Sequence, residues 1–396
     1  MSDAVALKPE IDLGAGRFLF KIYTLEALAS VGGNLLMFGI FFYMQRRFGW
    51  GASKNLPLSS AQGAAYVAGA LSANPLSRWI DRQKLLRLIQ IAMALIALAG
   101  VWTDTPAAIV TLLLAYTLLS AAQWPLLESL ISIGANPAGL SRRISIYNLV
   151  WSGSGAITVA ACGVVIAHAP QGIFLITVFA HLIALLLLTR IRPPSQPSSV
   201  AHLHPEPELI PLRAQAKRLS RIALPATFAV IYALGAIMPT LAVIQSTAPA
   251  ARTLLASVWM ISRWFCFVCL GMTVWWHTRP RALLIAAIVI FFAFLGITLI
   301  PSLPSMVLWQ IMMGIAMGLI YSGSLYFGMV LSDGSTAQNA YHEALIGLGS
   351  ILGPGCGALA GQLRPGDAHA SIIAVAAILW ISVLAACAVS LQLRRQ

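Results

Sequence analysis

Charge is what this sequence has least of: Asp, Glu, Lys and Arg make up 9% of its 396 residues, and only 12 of these are acidic. Soluble domains carry roughly 25%. With 59% of residues hydrophobic and a mean hydropathy of +0.84, a water-soluble fold of this length has no means of hiding its apolar surface. The cysteines (Cys162, Cys266, Cys269, Cys356, Cys387) all fall inside apolar segments, so a disulfide framework is not indicated. Cys266 and Cys269 stand one helical turn apart but have no third ligand near them, and no metal site is expected. Also missing are a Gly-x-Ser-x-Gly elbow, a Gly-x4-Gly-Lys-Ser/Thr phosphate loop and a His-Glu-x2-His pair. No enzyme activity, cofactor or ATP-driven step is therefore read. The polar amino terminus (Asp3, Glu10, Asp12) leads into an apolar segment without a small-residue cleavage site, so no removable signal peptide is expected.

What is present is repetition. Runs of about 20 apolar residues, each long enough to cross the roughly 30 Å hydrocarbon layer as a helix, recur down the chain. They predict an all-α polytopic membrane protein with 12 transmembrane helices, near residues 18–45, 57–78, 85–103, 106–132, 143–168, 171–191, 220–246, 252–276, 281–300, 303–331, 338–363 and 369–393. Of the 25 Lys and Arg, five (Arg46, Arg47, Lys54, Arg252, Arg364) fall in loops on one side, Arg263 lies within a helix, and the other 19 collect on the opposite side. This bias places both termini in the cytoplasm and the multi-pass chain in the inner membrane. The net charge of +13 is thus a topology signal, and no nucleic-acid partner is expected.

The one long polar interruption, rich in proline, separates an N-terminal six-helix bundle (1–191) from a C-terminal one (220–396) through a cytoplasmic linker (192–219). The two bundles are related. Tyr147-Asn148 followed by Gly153, Gly155 and Gly163 on the fifth helix matches Tyr341-His342 followed by Gly347, Gly349 and Gly357 on the eleventh, at one constant offset. A second echo pairs Trp79-Ile80-Asp81-Arg82 with Trp275-Trp276-His277-Thr278.

With these halves, and with Asp81-Arg82-Gln83-Lys84 after the second helix, the chain resembles the major facilitator superfamily along its whole length. Ser77 stands where that family's loop has its leading glycine, and Leu85 interrupts the later basic pattern. The Gly349-x3-Gly353-Pro354-x2-Gly357 pattern, similar to one the family places on helix five, lies here on helix eleven. The resemblance implies two pseudo-symmetric six-helix bundles rocking around a central site lined by helices one, four, seven and ten. It also implies secondary active transport of a small solute by alternating access. In such a fold Asp81 is expected to dock on the amino end of helix eleven, with Arg82 and Lys84 on a facing carboxylate, as a cytoplasmic gate.

Ionisable groups inside apolar helices are costly, and four stand out: Glu26, Glu128, Arg263 and Glu343, the last beside His342. Tyr23, Glu26, Ser30, Gly33, Asn34 and Met37 form a polar ribbon on one face of helix one. Gln310, Met313, Met317, Tyr321 and Ser324 form a partner stripe on helix ten. Arg263, Glu26, Tyr23, Asn34, Trp124, Tyr321 and Gln310 are the candidate substrate-binding residues. Glu343, His342 and Glu128 are the candidates for proton coupling, since a carboxyl group in an apolar helix exchanges protons as its exposure changes. The alternatives are helix-to-helix hydrogen bonding for the ribbon, a structural ion pair with one of the glutamates for Arg263, partnership with the cytoplasmic basic latch for Glu343, and packing for Trp124, Trp151, Trp259 and His181.

The solute is expected to be anionic or amphipathic, the other partners to be protons and the lipid bilayer, and the protein to be a monomer. A fold-sharing receptor or assembly factor and a facilitative uniporter remain open as alternatives. A channel lacks the rings of pore-lining charge it would need. The topology has a direct test: single cysteines placed at Ser199 and at Ser53 should react with impermeant reagents from opposite sides of the membrane. Labelling from the same side would remove the twelve-helix arrangement.

Overall fold

Each apolar run folds as an α-helix, because in hydrocarbon only an internally hydrogen-bonded backbone avoids unsatisfied polar groups. The computed structural model describes residues 13–131, 137–191, 209–273, 275–331, 336–367 and 369–392. Residues 1–12, the linker prolines within 192–208 and residues 393–396, all assigned to the cytoplasmic side above, lie outside the described residues. The long helices are α1 (Gly16–Phe48), α2 (Ala52–Trp79), α3 (Arg82–Val101), α4 (Pro106–Ile131), α5 (Pro137–His168) and α6 (Gly172–Thr189). The second set is α7 (Ile210–Ile237), α8 (Val258–Met272), α9 (Pro280–Leu299), α10 (Leu303–Val330), α11 (Thr336–Leu363) and α12 (Ala370–Gln392). No strand occurs among the described residues.

Several boundaries differ from expectation, the fifth helix starting at Pro137 and the eighth at Val258 among them. Residues 210–219, assigned to the linker, are the first turns of α7, which starts with Pro211 near its first position, where a missing N–H costs nothing. The same helix ends at Ile237 rather than near 246, because Pro239 interrupts it and two short turns, Met238–Thr240 and Ala242–Gln245, follow. By length and composition, 11 of the long helices are apolar enough to cross a membrane. The exception, α2, carries Asn55, Ser59 and Gln62 fully buried against other helices, so its polar face meets protein and not lipid.

The two halves share one packing plan. In the first, α1 lies against α5 and α6, α2 against α4, and α3 against α6; in the second, α7 lies against α11 and α12, α8 against α10, and α9 against α12. The halves meet along two seams, α5 with α8 and α11 with α2. The glycines of the sequence repeat sit at equivalent places on these seams. A Cβ on Gly153 would lie 2.7 Å from Trp264 of α8, and one on Gly347 would lie 2.5 Å from Val67 of α2. Two residues on, Gly155 abuts Asn34 of α1 and Gly349 abuts the Pro225 carbonyl of α7. The repeat therefore marks backbone approaches too close for any side chain.

α11 packs on α7 backbone to backbone. A Cβ on Gly353 would stand 2.3 Å from the Ala229 carbonyl oxygen, and backbone atoms cannot swing aside as a flexible side chain can. Gly353→Ala should lower the thermal unfolding temperature in detergent, through a loss of about 1–3 kcal/mol. Gly16→Ala, with nothing within 4 Å of the added methyl, should leave it unchanged. Equal effects of the two substitutions would show that the α7–α11 approach does not limit stability.

Candidate functional site

A cavity of about 110 Å3 lies between the halves. From the first half it is lined by Glu26, Ser30 and Asn34 on α1, Tyr66 on α2, Trp124 and Glu128 on α4, and Tyr147 and Trp151 on α5. From the second come Phe228 and Tyr232 on α7, Trp259 and Arg263 on α8, Tyr321 on α10, and Glu343 on α11. Helices α2, α5, α8 and α11 thus join the four implied by the resemblance, because the seam helices also border the space they enclose.

The three carboxyl groups are each no more than 3% exposed. Ser30 donates to Glu26 at 3.1 Å within α1, and Tyr147 approaches the same carboxyl from α5. Glu343 of α11 accepts a short hydrogen bond from the Tyr66 hydroxyl of α2. Glu128 of α4 lines the same cavity as Glu343. The outer oxygens Oε2 of Glu26 and Glu128 have no hydrogen-bond partner among the described residues.

Arg263 has a different setting. Its guanidinium carbon lies 4.5 Å from the ring centre of Trp151 and 4.8 Å from that of Trp259, so the cation is held between indoles contributed by opposite halves. Its Nε donates to Ser152 at 3.4 Å, and no carboxylate pairs with it among the described residues. Tyr321 stands between the charges: its ring packs on Trp151 and Phe228, and it feels both Arg263 and the three glutamates.

The structure therefore gathers Arg263, Glu26, Asn34, Trp124, Tyr321, Glu343 and Glu128 at one cavity. Three other candidates lie elsewhere. Tyr23 donates to the Arg143 carbonyl, a turn of α1 away from the cavity. Gln310 is spent on backbone: its Nε2 donates to the Leu255 carbonyl and its Oε1 accepts from Trp259 N–H, bridging the break between the short helix Arg252–Ala256 and α8. His342 is turned to Ser324 of α10, 3.0 Å from Nδ1, and does not line the cavity, as the 100° step from Glu343 requires.

The expected gate also takes another form. Asp81 caps its own helix, accepting from the N–H groups of Gln83 and Lys84 at 3.0 and 3.1 Å, and so does not dock on α11. Those donors are nearer in the chain than any other helix end, which makes a local N-cap the cheaper arrangement. Arg82 donates to Ser129 within the first half, and Lys84 makes no ion pair among the described residues. The residues missed as site residues are Tyr66 and Tyr147, whose only signal was an aromatic hydroxyl in the polar faces of α2 and α5.

A sequence profile described as the Major Facilitator Superfamily matches residues 22–354. The crystal structure of the nucleoside transporter NupG superposes with a TM-score of 0.66 at 14% identity, over 94% of this chain and 98% of that one. A bacterial homologue of the human lysosomal transporter Spinster, in an inward-facing and unoccupied conformation, does so at 0.64 and 14% identity, over 96% and 95%. No curated protein sequence matches at a significant level. At such identity the structural likeness is one of fold, whereas the profile spans most of the sequence: the chain belongs to the Major Facilitator Superfamily.

Proposed function

We propose that the protein is a secondary active transporter that moves a small organic anion across the inner membrane by alternating access, with protons carried by the Glu128–Glu343 pair. The observation that carries this reading is the tie between halves at Glu343, which accepts from Tyr66 of the opposite half and lines one cavity with Glu128. Loss of the proton leaves two carboxylates at one cavity that repel, and the α2/α4–α11 contact is then free to open. Reprotonation closes it again. Proton binding and access are coupled through one hydrogen bond.

Arg263 supports an anionic solute. Aromatic faces stabilise a guanidinium but offer no acceptors for its N–H groups, so an anionic group completes the site. The indoles and Tyr321 suit an apolar body attached to that anion. The cavity holds roughly four water volumes, below the 300–1,000 Å3 usual for ligand sites, and so the solute enters when the halves rock apart. Residues 1–191 and 220–396 are the rocking units. The charge bias sets the termini and the linker in the cytoplasm, and the protein works as a monomer with no chemical conversion of its solute.

Thermal-shift screening against organic anions identifies the ligand, since a compound that binds the folded state raises its apparent stability. Arg263→Lys keeps the charge but loses the planar fork, and should weaken binding of that anion about ten- to hundredfold with folding retained. Unchanged affinity in a folded Arg263→Ala protein removes Arg263 from the site.

For coupling, Glu343→Gln in liposomes should preserve counterflow exchange while abolishing accumulation driven by a pH gradient. If accumulation persists, the proton travels elsewhere. If exchange without a gradient is all that the native protein performs, it is a uniporter; absence of any flux with a bound ligand would mark a receptor.

A further inference from the structure

A second, larger recess of about 770 Å3 lies outside the transport site, on the surface that α9 and α10 turn toward lipid. Its composition changes along its length. At the end where α9 begins it is lined by Gln215, Trp275, Thr278, Arg279 and Arg281. Toward the bilayer centre it is walled by Ile285, Val289, Met312, Ile315 and Leu319. From Pro280 to Val289, α9 rises about 14 Å at 1.5 Å per residue. That is close to half of a hydrocarbon layer of roughly 30 Å, the depth of one leaflet.

The rim is cationic without compensation. No acidic residue lines the recess, and neither the Arg279 nor the Arg281 guanidinium makes a hydrogen bond or ion pair among the described residues. The Arg279 guanidinium rests 5.8 Å from the ring centre of Trp275, which is 46% exposed and stands at the level of an interfacial anchor. His277, beside them on the loop, is pushed down to about 4 by burial and then by Arg213, so it stays neutral at physiological pH and the rim charge is that of the arginines. In the first half, by contrast, Arg87 near the start of α3 donates to the Leu188 carbonyl and Arg82 to Ser129.

We propose that this recess is a binding site for an anionic phospholipid, the headgroup phosphate held by Arg279 and Arg281 and one acyl chain laid along Ile285, Val289 and Ile315. A cationic rim above an apolar trough one leaflet deep matches the polarity profile of that molecule and of no water-soluble anion. A zwitterionic lipid fills the trough but forgoes the net attraction at the rim. The site is independent of the transport reading, since none of its residues lines the central cavity.

The test is native mass spectrometry of the purified full chain titrated with phosphatidylglycerol and with phosphatidylcholine of the same acyl chains. Phosphatidylglycerol should bind more tightly, and Arg279→Gln and Arg281→Gln should each weaken it about fivefold, the value of about 1 kcal/mol for one basic residue near a lipid headgroup. Arg78→Gln, an exposed cation of the first half, should have no effect. Ile315→Trp, which fills the trough and leaves the rim intact, should weaken both lipids while the unfolding temperature without added lipid stays within the native range. Equal affinity for the two headgroups, or phosphatidylglycerol binding indifferent to both arginine variants, overturns the proposal. So does full competition by palmitate, which would make the occupant a fatty-acid anion.

Discussion

Glu343 is a buried carboxyl group, and the hydroxyl that donates to it, that of Tyr66, belongs to the other half of the molecule. A buried polar group left without partners costs several kcal/mol, roughly the whole margin by which a conformation is preferred. The α2–α11 seam therefore cannot part until Glu343 finds new partners or a new protonation state. The small volume of the central cavity follows from the same tie, because α2, α4 and α11 are drawn together over the space that α1, α7, α8 and α10 enclose. Tyr321, wedged among aromatics from both halves, fills what the carboxyl groups leave.

The repeat is symmetrical in shape and asymmetrical in charge. Both seams are built from glycines at matching positions, so both present smooth backbone to the facing helix. On α11, however, Tyr341-His342 is followed by Glu343, whereas on α5 Tyr147-Asn148 is followed by Leu149, whose carbonyl accepts from the Trp264 indole of α8. The α5–α8 seam carries the Arg263 guanidinium, on Ser152 and Trp151, beside that indole hydrogen bond, and the α2–α11 seam carries the Glu343 carboxyl group on Tyr66. A duplicated structure thus bears a different ionisable group at each of its seams.

The sequence was legible where hydrocarbon dictates the answer. Twelve helices, two halves and the glycine correspondences all follow from the cost of exposed backbone and polar atoms, and the buried charges Glu26, Glu128, Arg263 and Glu343 were visible as exceptions to that rule. Partners were not legible, because a helix face does not name the helix that it meets. Tyr66 was overlooked since nothing local separates a hydroxyl that serves a carboxyl group from one that packs. Gln310 looked like part of a cavity stripe and instead mends the break before α8, a break that the unbroken apolar run concealed. Asp81 was read from family habit as a long-range latch, while its position directly before a helix start already offered it two N–H groups at home.

Arg263 and Glu343 divide the two seams between them. The guanidinium projects from α8 and lies against the ring of Trp259 of its own half and that of Trp151 of the opposite half. Parting of α5 from α8 removes one of those rings, and a desolvated cation–π contact is worth about 2 kcal/mol. The cation is then left short of both stacking and acceptors, and an incoming anion offsets the loss by supplying the acceptors. In the proposed cycle an anion stabilises the state with the α5–α8 seam open, while a proton stabilises the state with the α2–α11 seam closed. With neither seam parted, the cavity is smaller than such a solute needs, so binding in that cycle requires the halves to move apart.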